Sequence, residues 1–156
     1  MYSKEEIKQL NIIFWGEFGQ YCEVHYMLRH KNRKWMLHRT KIKDIAFRFE
    51  VTRQDAKVIL ELGSRNENLR LKAFEILERY KVILEEGFSN GLNWEFFHER
   101  EDSDKEVCRI YTILKDVDLH RQNQWPEIFN FFIENMMQFE DNFILIRDLV
   151  REELKA

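Results

Sequence analysis

On either side of a polar loop, residues 45 to 51 and 56 to 62 place apolar residues at every second position. Ile45, Phe47, Phe49 and Val51 fall on one face of a first strand, and Ala56, Val58, Leu60 and Leu62 on one face of a second. A four-residue loop, Thr52 to Asp55, sets Val51 opposite Ala56. That register carries all eight apolar side chains to the same side, as a half-buried hairpin requires. The opposite face reads Asp44, Ala46, Arg48, Glu50 on one strand and Lys57, Ile59, Glu61, Gly63 on the other.

Helical spacing brackets the hairpin. Ile7, Leu10, Phe14, Phe18 and Tyr21 recur at three and four behind a capping box, Ser3 with Glu6. This helix fades by residues 22 to 28, where "CEVHYML" could equally begin a strand. Trp35 to Thr40 suits a short strand ahead of the hairpin. After the hairpin, Ser64 and Glu67 form a second capping box. Leu69, Ala73, Ile76, Leu77, Tyr80, Ile83 and Leu84 make a stripe behind it, with Gly87 as its stop. Trp94 to His98 and Val107 to Leu114 read as a second hairpin around "EREDSDKE". The last helix opens at Pro126, a residue suited to a first turn, and runs to near Leu154, about 43 Å at 1.5 Å per residue. Phe129, Phe132, Met136, Phe139, Phe143, Ile146 and Val150 form a heptad-like seam along it. Asp141 and Asn142, good caps and weak helix formers, are the places where it would break. The expectation is one α+β domain over residues 1–156, in the order α-β-β-β-α-β-β-α, with a mixed sheet flanked by helices.

Composition narrows the class. With 44% apolar and 34% charged residues, one proline and five glycines, the chain is neither disordered nor a many-turned all-β fold. Cys22 and Cys108 form no CxxC pair, so neither a disulfide framework nor a zinc site is expected. The five histidines show no ligand spacing. The acid-bearing start is not a signal peptide, and no run approaches the roughly 20 apolar residues of a membrane span. Cytoplasmic location, no membrane partner, no small-molecule ligand and no cofactor are the resulting expectations.

Charge is distributed unevenly. The net charge is −3. Yet residues 24 to 43 hold no acid and seven cations: Arg29, Lys31, Arg33, Lys34, Arg39, Lys41 and Lys43. Trp35 lies among them. Cations can neutralise phosphates and an exposed indole can stack on a base, so this segment is the candidate nucleic-acid surface. The other reading is a solvated turn and strand with Trp35 in the core.

The polar face of the first hairpin is the candidate catalytic site. Glu61 lies opposite Ala46 and diagonal to Asp44 and Arg48, at about 7 to 8 Å between backbones. Two carboxylates so placed can share Mg²⁺, which would activate a water for attack on a phosphodiester. An acid opening one strand and an E-x-K on the next resemble the restriction-endonuclease-like core. Here Gly63 stands at the lysine position, with Lys57 as the substitute. The bland reading is a set of cross-strand ion pairs, Glu50 with Lys57 and Glu61 with Arg48.

The last helix also carries two readings. Its seam covers the sheet, or Phe129, Phe132, Met136, Phe139 and Phe143 meet a second copy of the chain in a homodimer. Ile128, Phe131, Ile133, Met137 and Leu145 widen the apolar surface on either side of it.

"FWGEF", "KW" before the hairpin, "DIAFRFE" and "WPEIFNFF" together resemble a bacterial family built on a domain of unknown function. The resemblance covers nearly the whole chain, and its motifs are aromatic and structural. It implies members that occur alone or at the end of larger proteins with restriction-nuclease-like regions. The function expected is a non-catalytic binding domain of restriction-endonuclease-like type. The alternatives are a Mg²⁺-dependent nuclease and a homodimeric adaptor.

Overall fold

The first hairpin forms in the expected register. In the computed structural model, which describes residues 2–25 and 34–156, β1 (Ile45–Val51) pairs antiparallel with β2 (Asp55–Leu62). Val51 faces Ala56 and Ala46 faces Glu61. Thr52 closes the turn, donating its N–H to the Asp55 carbonyl at 2.8 Å. The second hairpin, β3 (Asn93–Glu99) and β4 (Glu106–Lys115), joins the first through β4. The strand order is β1-β2-β4-β3, antiparallel throughout.

One face of this sheet is covered by helices. Helix α1 (Lys4–Val24) starts on the expected capping box: Ser3 Oγ accepts from the Glu6 N–H at 3.2 Å, and Glu6 returns the bond. Leu10, Phe14 and Phe18 are buried from its stripe. Helix α2 (Glu67–Arg79) and a single turn, α3 (Lys81–Leu84), follow the first hairpin. Helix α4 (Trp125–Lys155) lies across the sheet. Its Phe139 and Phe143 meet Phe47 at 5.3 and 5.4 Å between ring centroids, while Phe132 meets Phe49 at 4.8 Å. Phe14 and Phe18 of α1 close over Phe129 and Phe132. The core is thus an aromatic layer between β1, α1 and α4. Edge-to-face rings there add about 0.5–1.5 kcal/mol per pair beyond area burial.

The α+β class, the helices and the two hairpins agree with the sequence reading; four details differ. Trp35 to Thr40 is not a strand. Leu37 sits at φ +41°, and Lys41 and Asp44 at +68° and +66°, conformations no strand contains. The Met36 N–H is spent on Glu140 Oε2 at 2.6 Å rather than on a neighbouring strand. The sheet is antiparallel rather than mixed, and it does not confirm a restriction-endonuclease-like core. The second helix is capped by Asn66, whose side chain accepts from the Leu69 N–H, in place of a Ser64–Glu67 box. It also stops at Arg79, before the short turn that leads to Gly87 at φ +83°.

The last helix does not break at Asp141 and Asn142. The Asn142 side chain turns inward, and its amide donates to the carbonyl oxygens of Leu84 and Glu86 at 2.9 and 2.7 Å. Its polar group thereby satisfies another element instead of competing with its own backbone. Cys22 and Cys108 are both free thiols. Among the described residues, no helix is long and apolar enough to cross a membrane.

Candidate functional site

The face of the sheet turned away from the helices is a band of interlocked charges. Alternation sends Arg48 and Glu50 of β1, Lys57, Ile59 and Glu61 of β2, Arg109 and Tyr111 of β4, and Glu95 of β3 to this side. They line or border a cleft of about 570 Å³, closed on one side by Arg100 and the turn that follows β3.

The carboxylates in this cleft are engaged. Glu61 Oε1 meets Arg48 at 3.3 Å, and its Oε2 meets Arg100 at 3.7 Å. Glu50 lies between Lys57 at 3.3 Å and Arg109 at 3.5 Å. Glu95 takes Arg109 at 3.4 Å and His98 at 3.1 Å. Arg109 also stacks on Tyr111, 5.0 Å from its ring centre. Glu61 and Arg109 are only 8% and 6% exposed, so the network has a buried centre, while Arg48, Glu50, Glu95 and Arg100 around it stay partly open to solvent.

Titration follows from these contacts. Burial works against the Lys57 ammonium. The hydrogen bond to Asp55 and the charge of Glu50 outweigh it and leave the group above its ordinary value. Burial, then the Glu95 carboxylate, pushes the Tyr111 phenol upward.

Of the catalytic candidates, Lys57 and Glu61 line this cleft, whereas Asp44 lines a separate cavity beside Ile42 and Leu62. Lys57 is held by Glu50 and Asp55, and Glu61 by two guanidinium groups. Asp44 is exposed, and its carbonyl accepts from the Gly63 N–H at 2.8 Å. Among the described residues, no three His, Cys, Asp or Glu side chains are grouped so as to hold a metal ion.

One residue that sequence reasoning overlooked stands at this corner. A Cβ on Gly63 would lie 3.3 Å from Lys105 Nζ and 3.9 Å from Glu61 Oε2. An ammonium thus reaches the E-x-K position from the β3–β4 turn. Nothing in the local sequence around Gly63 signals it, because the two segments meet only through the sheet.

The basic segment is described in part. Arg29, Lys31 and Arg33 lie outside the described residues. Lys34, Arg39, Lys41 and Lys43 are exposed. Trp35 is half-buried, edge-on to Phe49 at 5.7 Å, so its ring packs against the core. In α4, Phe129, Phe132, Met136, Phe139 and Phe143 are all buried within one chain, and that seam faces the sheet and α1.

A four-stranded antiparallel sheet with helices on one face and a network of ion pairs on the other defines an α+β domain. The chain belongs to the family described as Domain of unknown function (DUF4268), whose model matches residues 10–145. No curated protein and no solved structure matches it significantly.

Proposed function

We propose that this is a non-catalytic binding domain that contacts nucleic acid through the basic stretch from Arg29 to Lys43. One contrast carries the reading. The acids of the sheet face are matched by cations, whereas Lys41 and Lys43 are exposed and take part in no ion pair among the described residues. Exposed, unmatched lysines are what a phosphate backbone exchanges for its counterions. Trp35 is half-buried against Phe49 and lines a surface depression with Lys34 and Arg39, so in this reading it borders the contact surface.

The test is fluorescence anisotropy with a labelled DNA duplex at low and moderate salt, in Mg²⁺. Binding should weaken steeply with salt and leave the duplex uncut. Lys41→Ala with Lys43→Ala should reduce the magnitude of the log–log salt slope by about 0.9 for each phosphate no longer neutralised. An absence of binding at low salt would sink the proposal. Mg²⁺-dependent cleavage abolished by Glu61→Ala would replace it with the nuclease reading.

A second reading is a homodimeric adaptor. It is favoured by Ile144, Leu145 and Leu149, apolar residues exposed on the outward side of α4.

A further inference from the structure

We infer that the domain also has a pocket for a small amphiphilic anion, an aliphatic carboxylate of medium length, where the turn before β1 meets α2 and the end of α4. A cavity of about 340 Å³ opens there. Its volume is within the range of small-molecule sites, roughly 300–1,000 Å³. The walls are aliphatic: Ile42, Ile45, Leu62, Leu69, Ala73 and Leu154. The rim is cationic: Lys41, Lys43, Arg151 and Lys155, with Asp44 as the only acid among the lining residues.

The rim cations differ in what they are free to do. Arg70, deeper in the cavity, is tied to the Ser64 carbonyl at 2.9 Å and to Glu106 at 3.4 Å. Arg151 and Lys155 hold Asp148 and Glu152 along their own helix. Lys41 and Lys43 have no such partner among the described residues. An apolar ligand with an anionic head would place its tail on the aliphatic wall and its charge on these two ammonium groups. A neutral apolar ligand would leave the lysines unused, and a bare anion would leave the wall unused.

The turn that presents the lysines is rigidly built. Thr40 is fully buried, and its hydroxyl donates to the Ile45 carbonyl at 2.6 Å and accepts from the Ile42 N–H at 3.2 Å. Ile42 is held inward, with the two lysines on either side of it in sequence exposed. Lys41 and Asp44 both have left-handed backbone, at φ +68° and +66°, which costs of order 1–3 kcal/mol each for a non-glycine residue. Strain of this kind persists where surrounding structure over-determines it, and ligand clamps are one such place.

This inference does not rest on the nucleic-acid reading, and its test separates the two through the ligand's tail. Decanoate, decanol and acetate are titrated into the full chain by calorimetry. Decanoate should bind saturably with one site, decanol about tenfold more weakly, and acetate without measurable heat. Lys41→Glu with Lys43→Glu should weaken decanoate by about tenfold or more. Ala73→Phe, which fills the cavity, should remove binding. Amide chemical shifts of the wild-type protein, followed during the decanoate titration, should move around Ile42, Ala73 and Leu154. They locate the ligand even where a variant fails to fold. Equal binding of decanoate and decanol, binding unchanged by the double variant, shifts that move elsewhere, or no saturable binding would each overturn the proposal. Loss of DNA binding with decanoate binding retained would reject only the nucleic-acid reading.

Discussion

The amide of Asn142 donates to the carbonyl of Glu86 at 2.7 Å, joining the middle of the longest helix to the segment that follows α3. A second bond from the same nitrogen reaches the Leu84 carbonyl at 2.9 Å, and Gln138 donates to the Asn142 oxygen at 3.0 Å. α3 is one turn long, so its last carbonyls have no partners within it. Asn142 supplies a donor to the carbonyl of Leu84, the last residue of α3, and shares the Glu86 carbonyl beyond it with Gln138, which donates at 3.1 Å.

Asn142→Ala should therefore destabilise the domain by about 2–4 kcal/mol, the cost of two hydrogen bonds with a buried carbonyl left unpaired. Asn142→Asp should cost more, because a carboxylate would confront two carbonyl oxygens without a donor. Urea unfolding of the three proteins checks the order. Equal midpoints for wild type and Asn142→Ala would show that water replaces the amide.

Glu61 behaves as a structural anion in the same sense. Glu61→Ala should lower stability by about 1–3 kcal/mol, less than the 3–5 typical of a fully buried pair. Arg48 and Arg100 keep 33% and 23% side-chain exposure and can be rehydrated. Thermal melts of wild type, Glu61→Ala and Glu61→Gln are the measurement. A variant as stable as wild type would mean that the acid is held in place for something other than the fold.

How much of this was legible follows from what was local. The first hairpin was, because loop length and alternation independently demanded Val51 opposite Ala56. The seam of α4 was legible from spacing, but its destination was not. Phe139 and Phe143 could have met another chain until Phe47 was placed against them. The Trp35–Thr40 segment misled because its apolar residues suit a strand, while left-handed Leu37 and the Met36–Glu140 bond are tertiary facts. On the charged face, Glu50 with Lys57 and Glu61 with Arg48 were readable from one register. Arg100, Arg109 and Glu95 join the same network from the second hairpin, and Lys105 reaches Gly63 beside it. The strand order that brings them there leaves no mark in either hairpin alone.

Acid should destabilise the domain partly through Asp118. Burial alone would raise its carboxyl. The His120 N–H, donated at 2.8 Å, and Arg53 at 3.4 Å outweigh burial and hold it below the ordinary aspartate range. A group with a depressed folded value contributes stability above its unfolded pKa, about 3.9. That contribution is lost as pH falls through the folded value. Asp118→Asn should be less stable than wild type by about 1 kcal/mol at neutral pH, with the gap closing below roughly pH 4. A gap that stays constant from pH 7 to pH 3 would assign the loss to shape rather than charge.

The two sides of α4 should answer differently to the same substitution. Phe143 is fully buried against Phe47, so Phe143→Asp places a carboxylate in the aromatic layer. With the lost packing, about 3–5 kcal/mol, that cost is comparable to the whole stability of an ordinary domain, about 5–15 kcal/mol. The expected product is unfolded chain rather than a folded monomer, visible as lost helical circular dichroism. Leu145, 71% exposed, faces outward. Leu145→Asp should change the melting temperature little and is the proper test of a second copy, because it alters the only kind of α4 surface a partner could reach without opening the core. Sedimentation of wild type across a concentration series decides it. A mass that rises with concentration and reverts in Leu145→Asp places the homodimer contact on the outward side. A mass that stays at one chain throughout removes the adaptor reading.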